Sequence, residues 1–578
     1  MSSPSRFYQD WAFFWTLFCI FFFVTFWFTT SLTWLMGEGN NWGDKEAHFN
    51  AFLSLLKMWL FGKSGYTWER YWGVIVDNEW VVKLALHVLL PALFSLLIAS
   101  FLAIKMVLKK GGIERVQHLN GPKLYRFKDV FKHSKKMYKK ERKSNKYFEK
   151  GINLHPKIPI SIMRELNNLL VIGTTGSGKS TFIKYILNQV IKRGDHVLIY
   201  DEKKEYTSLF YSERSLLIAP WDSRGIVWNI GKDILSEEDS ILVANNLIAK
   251  SKSNDPVWDN GARLIFTGML IYLMRTKENW SWTDLANMLK TPQGEMLAIL
   301  EKYYPIAQSF VVENSKTTQG FYVNLISNLR WLNTLAKAWG KQSSNSFSIK
   351  EWVETSQNSK AIKPVLIIQS DPRYEEIGAP LCNAIISLMT QFYLSNDNQA
   401  NRKTWLFIDE MANLPANPSI QKWLELARSR GARSCVGFQS NSQVYENYGK
   451  YNADTILNLL STVISMRVGS AGDEAKNTSR MFGEREVLRP VSLDKSVPWA
   501  SSKEPLVSEE DLIHLEQANN KGVHGYLTVP SWNSVYKVCW PHFTQKAKAA
   551  EHVPAKWLSE KTVIEETPQP KNRLLRRG

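Results

Sequence analysis

The chain has 578 residues, 44% of them hydrophobic, and a formal net charge of +18 at pH 7. That length accommodates two or three domains, and the soluble-like average composition excludes a chain that lies mostly in a membrane. Its four cysteines, Cys19, Cys382, Cys435 and Cys539, form no CxxC pair, so neither a zinc ribbon nor a disulfide framework is supported and buried thiols in a reducing compartment are expected.

Trp11–Met36 runs for 26 residues without a charged side chain, enough to cross a hydrocarbon core of ~30 Å with some tilt. A signal peptide has an apolar stretch of only ~7–15 residues and a small-residue cleavage site, and this run meets neither condition. Leu84–Ile104 is a second such run, interrupted only by His87 and Pro91; both are tolerated in a spanning helix that packs on a neighbour. Between the two, residues 37–80 carry six acids and four Lys/Arg, whereas 105–150 carry sixteen Lys/Arg against four Asp/Glu. Positive residues stay on the cytoplasmic side, which predicts two spanning helices, cytoplasmic termini and an external loop at 37–80. Trp34, Trp42, Trp59, Trp68, Trp72 and Trp80 suit interfacial anchoring of that loop. The segment "KHSKKMYKKERKSNK" is read as a topology determinant facing anionic lipid, with direct DNA contact as the other reading. Residues 105–150 (+12), together with Lys571, Arg573, Arg576 and Arg577 at the end (+4), hold most of the excess charge. The rest of the chain is nearly neutral, and its isoelectric point is no argument for DNA binding.

"NNLLVIGTTGSGKST" carries Gly173-x4-Gly178-Lys179-Ser180 between an apolar strand pattern and the helix pattern "STFIKYILNQVIKRG". Strand, glycine-rich loop and helix is the context that makes this spacing a phosphate-binding loop. Gly173, Thr174, Thr175, Gly176, Ser177, Gly178, Lys179, Ser180 and Thr181 are the expected nucleotide-binding residues. The amides of Thr175–Lys179 would cradle phosphates at a helix start. Lys179 would reach the β and γ oxygens of ATP, and the Ser180 hydroxyl would hold Mg²⁺.

Further apolar runs end at Asp201, Gln369, Asp409–Glu410 and Gln439, and "STVISMRV" follows. Continuous rather than alternating apolar strands predict a mostly parallel sheet buried on both faces, with ligands at the carboxyl ends of its strands. Asp409 suits a second contact to Mg²⁺, and Glu410 suits polarising the attacking water. After them, Arg428-Ser429-Arg430-Gly431 precedes the strand that ends in Gln439. A phosphoryl transition state needs an added cation, and none is evident beside the loop in sequence. Arg428 or Arg430 could therefore serve a neighbouring subunit, or either could be a solvated charge at a helix end. Gln439 has the position of a residue that senses the γ-phosphate. Residues 241–355 show helical patterns and no comparable strand, and the Pro-bearing residues after 546 read as a mobile tail.

These features predict a membrane anchor (1–108, helices about 11–36 and 84–104), a basic juxtamembrane stem (109–160), a nucleotide-binding domain in two pieces (161–240 and 356–545), an all-α domain (241–355) and a flexible basic tail (546–578).

"GTTGSGKS", "DEKKEY", "WDSRGIVWNI", "DPVWDNGARLIF", "LFIDEMANLP" and "ARSRGARSCVGFQSNSQVYENYG", in this order after two membrane helices, resemble the type IV coupling proteins of bacterial conjugation, in the TraD/TrwB branch. Lys204 stands where many of these relatives carry Gly. The resemblance implies an α/β fold: a RecA-like P-loop motor domain with an inserted all-α domain. It also implies a homo-hexamer at the bacterial inner membrane that hydrolyses ATP with Mg²⁺. Its partners would be single- and double-stranded DNA, relaxase and relaxosome proteins, the components of the type IV secretion channel, and membrane lipid. It would pump the transferred strand; the alternatives are a receptor for protein effectors only, or a chromosome-type DNA translocase. Membrane-anchored AAA proteases need HExxH and ABC transporters an LSGGQ-like signature, and the chain has neither.

Overall fold

The computed structural model describes residues 4–36, 45–62, 66–109, 117–248, 256–313, 315–340, 346–356, 363–395, 402–489 and 500–559. Trp42 and the basic residues at 571–577 lie outside these. The chain forms two compact units, Met1–Asn120 with Glu486–Lys503, and Gly121–Arg485 with Glu504–Gly578.

In the first unit, the helices Pro4–Met36 and Val81–Lys109 pack along each other. Thr29 Oγ1 lies 3.3 Å from Ser95 Oγ across the pair, and Thr33 Oγ1 lies 3.4 Å from His87 Nε2. The polar interruptions of the apolar runs thus find partners on the neighbouring helix, as a lipid environment requires. Their apolar windows, Ala12–Thr33 and Val81–Met106, are long enough to cross a membrane. The intervening segment is not an irregular loop, for it contains the helices Lys45–Phe61 and Tyr66–Asp77. A third helix, Glu375–Ser395, also has the length and composition of a span, but 78% of its most apolar window is buried inside the second unit. Its hydrophobicity is that of a core helix.

The second unit is built on a ten-stranded sheet. From one edge, its strands run Ser215–Ile218, Val365–Gln369, His196–Asp201, Thr404–Ile408, Ala432–Phe438, Leu169–Ile172 and Thr462–Ser465, all parallel. Val523–Thr528 and Ser534–Trp540 then add an antiparallel hairpin, and Lys123–Tyr125 closes the far edge. The parallel strands are buried at every position, which is why their sequences are continuous apolar runs. Helices from Glu237 to Thr355 form the helical domain, where Trp280, Trp282, Trp331 and Trp339 are buried. The fold is a RecA-like P-loop motor with an all-α domain. The helical insert is stitched to the motor by the short strand Ser346–Phe347, parallel to Val227–Trp228.

Two expectations are corrected. The stem is not separate from the motor, because Lys123–Tyr125 belongs to the main sheet and the basic helix Lys128–Ser144 buries Val130 and Ser134. The tail is not free from residue 546: Lys548 N and Ala549 N donate to Ser208 O at 2.8 and 3.1 Å, and Ala555 N donates to Trp221 O at 2.9 Å. Trp557 Nε1 donates to Pro220 O at 2.8 Å. Bonds to backbone carbonyls leave no trace in hydrophobic periodicity.

At the amino-terminal edge of the sheet a buried ionic network fixes the strand starts. Glu165 is fully buried and accepts from Arg193 Nη1 (2.7 Å), Arg193 Nη2 (2.9 Å), Arg433 Nε (2.8 Å) and Ile152 N (2.7 Å). Burial pushes the Asp195 carboxyl above its ordinary range against the pull of Arg193. Breaking such a network by removing one partner leaves buried charge uncompensated, a cost of ~3–5 kcal/mol. Glu165→Ala is therefore expected to lower the unfolding free energy of the detergent-solubilised full chain, read from its denaturant titration, by that order, and Glu165→Gln by less. A loss below ~1 kcal/mol for Glu165→Ala would show that the network does not hold the sheet edge.

Candidate nucleotide-binding site

The loop 173–178 leaves the strand Leu169–Ile172 and enters the helix Lys179–Arg193. Gly178, the residue before that helix, has φ 102°, and a Cβ there would collide with Val523. Only glycine fits, for conformation and for space. Gly173 N donates to Phe438 O at 3.4 Å and Ser177 N to Thr174 O at 3.1 Å, which lashes the loop to itself and to the next strand. The first turn of the helix leaves its amides without intrahelical partners, so the loop presents donors and the positive end of a helix dipole to one cleft.

That cleft holds ≈ 410 Å³ and is lined by Thr174, Thr175, Gly176, Gly178, Lys179, Ser180 and Thr181, with Asp409, Glu410 and Gln439 from neighbouring strands. Lys179 Nζ donates to Glu410 Oε2 at 2.9 Å, and both side chains are largely buried. Ser180 Oγ donates to Asp409 Oδ2 at 3.0 Å. Thr175 Oγ1 donates to Gln439 Oε1 at 3.0 Å, while Gln439 N donates to Glu410 Oε1 at 3.2 Å. Three residues from strand ends thus meet one residue of the loop and two of the helix start pairwise. The pairing follows from the sheet order, in which Ala432–Phe438 separates Leu169–Ile172 from Thr404–Ile408.

The donor set suits a phosphate chain with Mg²⁺. Ser177 Oγ is buried with no hydrogen-bond partner. The Ser180 hydroxyl and Asp409 carboxylate stand together, and among the described residues no group of three or more His, Cys, Asp or Glu gathers. Mg²⁺ is commonly held through one or two protein oxygens, water and substrate phosphates rather than by a full protein cage.

Arg428 stands elsewhere. Its Nη2 donates to Asn167 Oδ1 at 2.8 Å, its side chain is exposed, and the seven-residue strand Ala432–Phe438 lies between it and Gln439. At ~3.3 Å per residue, that strand sets it about 23 Å from the cleft of its own chain. Arg430 donates to the carbonyls of Tyr393 and Leu394 at a helix end, and Arg433 is committed to the Glu165 network. Of the three arginines, Arg428 is the exposed one.

Asp201 and Gln369, the other two polar strand ends, do not line the cleft. Asp201 Oδ2 accepts from Thr207 N and Thr207 Oγ1, both at 2.6 Å, and burial holds its carboxyl at about 6 against those bonds. Gln369 Nε2 donates to Thr207 Oγ1 and to Glu551 O, both at 3.1 Å, and so binds the docked tail. Lys204 sits at φ 62°, the left-handed region that favours glycine, and its ammonium pairs with Asp371. That ion pair accompanies a lysine in a strained turn. Sequence reasoning missed Ala518, Val523 and His542 on the far wall; the hairpin pattern "VHGYLTVPSWNSVYKVCW" was the available signal.

A family model described as the type IV secretion-system coupling protein DNA-binding domain matches residues 153–537. Coupling protein TraD of Escherichia coli (strain K12) is 26% identical over 411 residues, covering 69% of this chain and 56% of that protein. The match thus spans little more than half the length of that relative. The fold is similar to that of the bacterial conjugative coupling protein TrwBdeltaN70, with a TM-score of 0.64 at 20% identity over 76% of this chain and 98% of that one. It is equally similar to plasmid coupling protein TrwB in complex with ADP and Mg²⁺, with a TM-score of 0.64 and 20% identity over 77% and 99% of the two chains. With its family match covering two thirds of the sequence and the same motor architecture, the chain belongs to the type IV secretion-system coupling protein family.

Proposed function

We propose that the chain is a membrane-anchored, DNA-stimulated ATPase. As a homo-hexamer at the bacterial inner membrane, it would bring the relaxase–DNA complex to a type IV secretion channel and pump the transferred strand. The observation that carries this reading is the pairwise meeting of Lys179 with Glu410, Ser180 with Asp409 and Thr175 with Gln439 in one cleft, in a member of the coupling-protein family. The cleft's donor chemistry and the relative solved with ADP and Mg²⁺ support the nucleotide and ion assignment. The flanking charges support two passes with both termini cytoplasmic.

Each residue has a distinct task on this reading. The loop amides and Lys179 hold the phosphates, and Thr181 extends the cradle at the helix start. Ser180 and Asp409 hold Mg²⁺, which when bound neutralises charge on the phosphate oxygens. Lys179 changes partner from Glu410 to phosphate, which leaves the Glu410 carboxylate free to orient and deprotonate the attacking water. Gln439, bonded to both Thr175 and Glu410, links the state of the loop to that of the base. Arg428, exposed and far from its own cleft, supplies the cation to the neighbouring subunit's γ-phosphate.

An arginine supplied in trans is worth ~10³–10⁵ in turnover, far above the ~1 kcal/mol or less of an exposed charge pair. Full-length protein in detergent should therefore hydrolyse ATP weakly when dilute and much faster when concentrated with single-stranded DNA. Arg428→Ala should bind ATP and lose nearly all turnover. Mixing Arg428→Ala with Lys179→Ala subunits should restore some activity, because mixed interfaces join an intact loop to an intact arginine. Activity flat in both DNA and protein concentration would contradict the ring motor. A dead mixture in demonstrably mixed rings would contradict the role of Arg428.

A further inference from the structure

The helix Lys45–Phe61 has two outward faces of opposite character. Phe49, Leu56 and Leu60, spaced i, i+7 and i+11, are about half exposed, and Trp59 beside them is 78% exposed. Glu46, Asn50 and Lys57, spaced i, i+4 and i+11, form a separate exposed polar stripe. The helix Tyr66–Asp77 packs along the edge of the apolar stripe through Phe52, Trp68 and Tyr71, with ring centroids 5.6 Å apart for Phe52–Trp68 and for Trp68–Tyr71. His48, nearly buried, places Nδ1 2.5 Å from Tyr71 OH, so the polar atoms of this packed face satisfy each other.

The depth of this pair is given by one contact. The Phe49 ring lies 5.9 Å from the ring of Trp27, edge to face. Trp27 stands six positions before Thr33, where the apolar window of the first spanning helix ends. At 1.5 Å per residue that is ~9 Å inside the end of the span. Helical side chains lean toward the amino terminus, so its ring is no shallower than its backbone. An amphipathic helix in a bilayer interface buries its apolar face ~5–10 Å into the headgroup–acyl boundary, and the Phe49 position meets that depth. An apolar stripe of this size facing water would be exceptional for a soluble loop.

We propose that the segment between the spanning helices is a lipid-seated helical hairpin: Phe49, Leu56, Trp59 and Leu60 contact phospholipid acyl chains, and Glu46, Asn50 and Lys57 face the headgroups and water. The proposal deepens the two-pass reading by assigning this segment a lipid surface in place of an aqueous one. It makes the anchor wider than two helices and fixes the rotation of the first spanning helix through Trp27.

The test uses the full chain with Cys19 and Cys539 changed to Ser; Cys382 and Cys435 are fully buried and unreactive. Leu56→Cys or Asn50→Cys, labelled with an environment-sensitive fluorescent maleimide, is reconstituted in phosphatidylethanolamine–phosphatidylglycerol vesicles. The quenchers are acyl-chain nitroxide lipid and aqueous iodide on both sides of the membrane. The label at 56 is expected to be quenched several-fold more by nitroxide lipid than by iodide, and the label at 50 the reverse. Iodide quenching of both would place the hairpin in water, nitroxide quenching of both would sink the whole helix, and quenching of neither at 56 would mean that protein covers it; each overturns the proposal. Alkaline phosphatase fused at Asp44 and after Lys110 tests the topology separately. Activity only at Asp44 is expected, and activity after Lys110 would overturn the two-pass reading while leaving the quenching result to stand by itself.

Discussion

The ion pair between Lys179 and Glu410 is the contact around which the motor unit is arranged. Its atoms are 2.9 Å apart, and both side chains are largely buried. The loop and the Glu410 strand lie two positions apart in the sheet, ~10 Å at the usual strand spacing, so a lysine side chain can bridge them. A buried ammonium without an anion would be costly. Glu410 meets that demand here, and a phosphate meets it equally well, so the carboxylate and a nucleotide compete for one cation. Ser180 with Asp409 and Thr175 with Gln439 repeat the arrangement beside it, each a loop hydroxyl held by a group that a bound ion or phosphate would redirect.

The two edges of the sheet are chemically distinct. At the amino-terminal edge, Arg193 is held by Glu165 and Asp195, Arg433 by Glu165 and the carbonyls of Arg402 and Gly431, and Arg430 closes the end of the helix Glu375–Ser395. Those groups are bonded within the chain and have nothing left to offer a ligand. At the carboxyl edge, Asp409, Glu410 and Gln439 are bonded through contacts that a phosphate chain can replace. Arg428 belongs by position to the first edge, but its side chain is exposed there, which is what makes the proposed role in a neighbouring subunit's cleft open to it.

Much of this was legible in the sequence because its causes are local. The loop spacing, the apolar run before it and the helix after it are contiguous. Strands buried on both faces wrote themselves as "HVLIYD" and "TWLFI" without alternation. The parts that were not legible depend on distant pairing. Lys123–Tyr125 is three residues inside a basic stretch and becomes a strand only because Ser534–Trp540 offers an edge. The docking of residues 546–559 rests largely on backbone amides and carbonyls, which residues of any type supply. Asp201 and Gln369 looked like Asp409 and Gln439 in sequence, each a polar residue after a buried strand. Thr207 and the docked tail, not the cleft, take them up. Lys204 shows the same limit from the other side, since its left-handed backbone leaves no mark in the residue type.

The exchange of Lys179 from carboxylate to phosphate is the step on which the account turns, and removing the charge from its competitor isolates it. Calorimetric titration of full-length Glu410→Gln with Mg·ATP, beside its steady-state turnover, reads both halves of the exchange at once. Tighter nucleotide binding than in the parent is expected, because the ammonium no longer has a charged protein partner, together with turnover lowered by orders of magnitude for want of a base. Weaker binding, or hydrolysis at the parent rate, would contradict it.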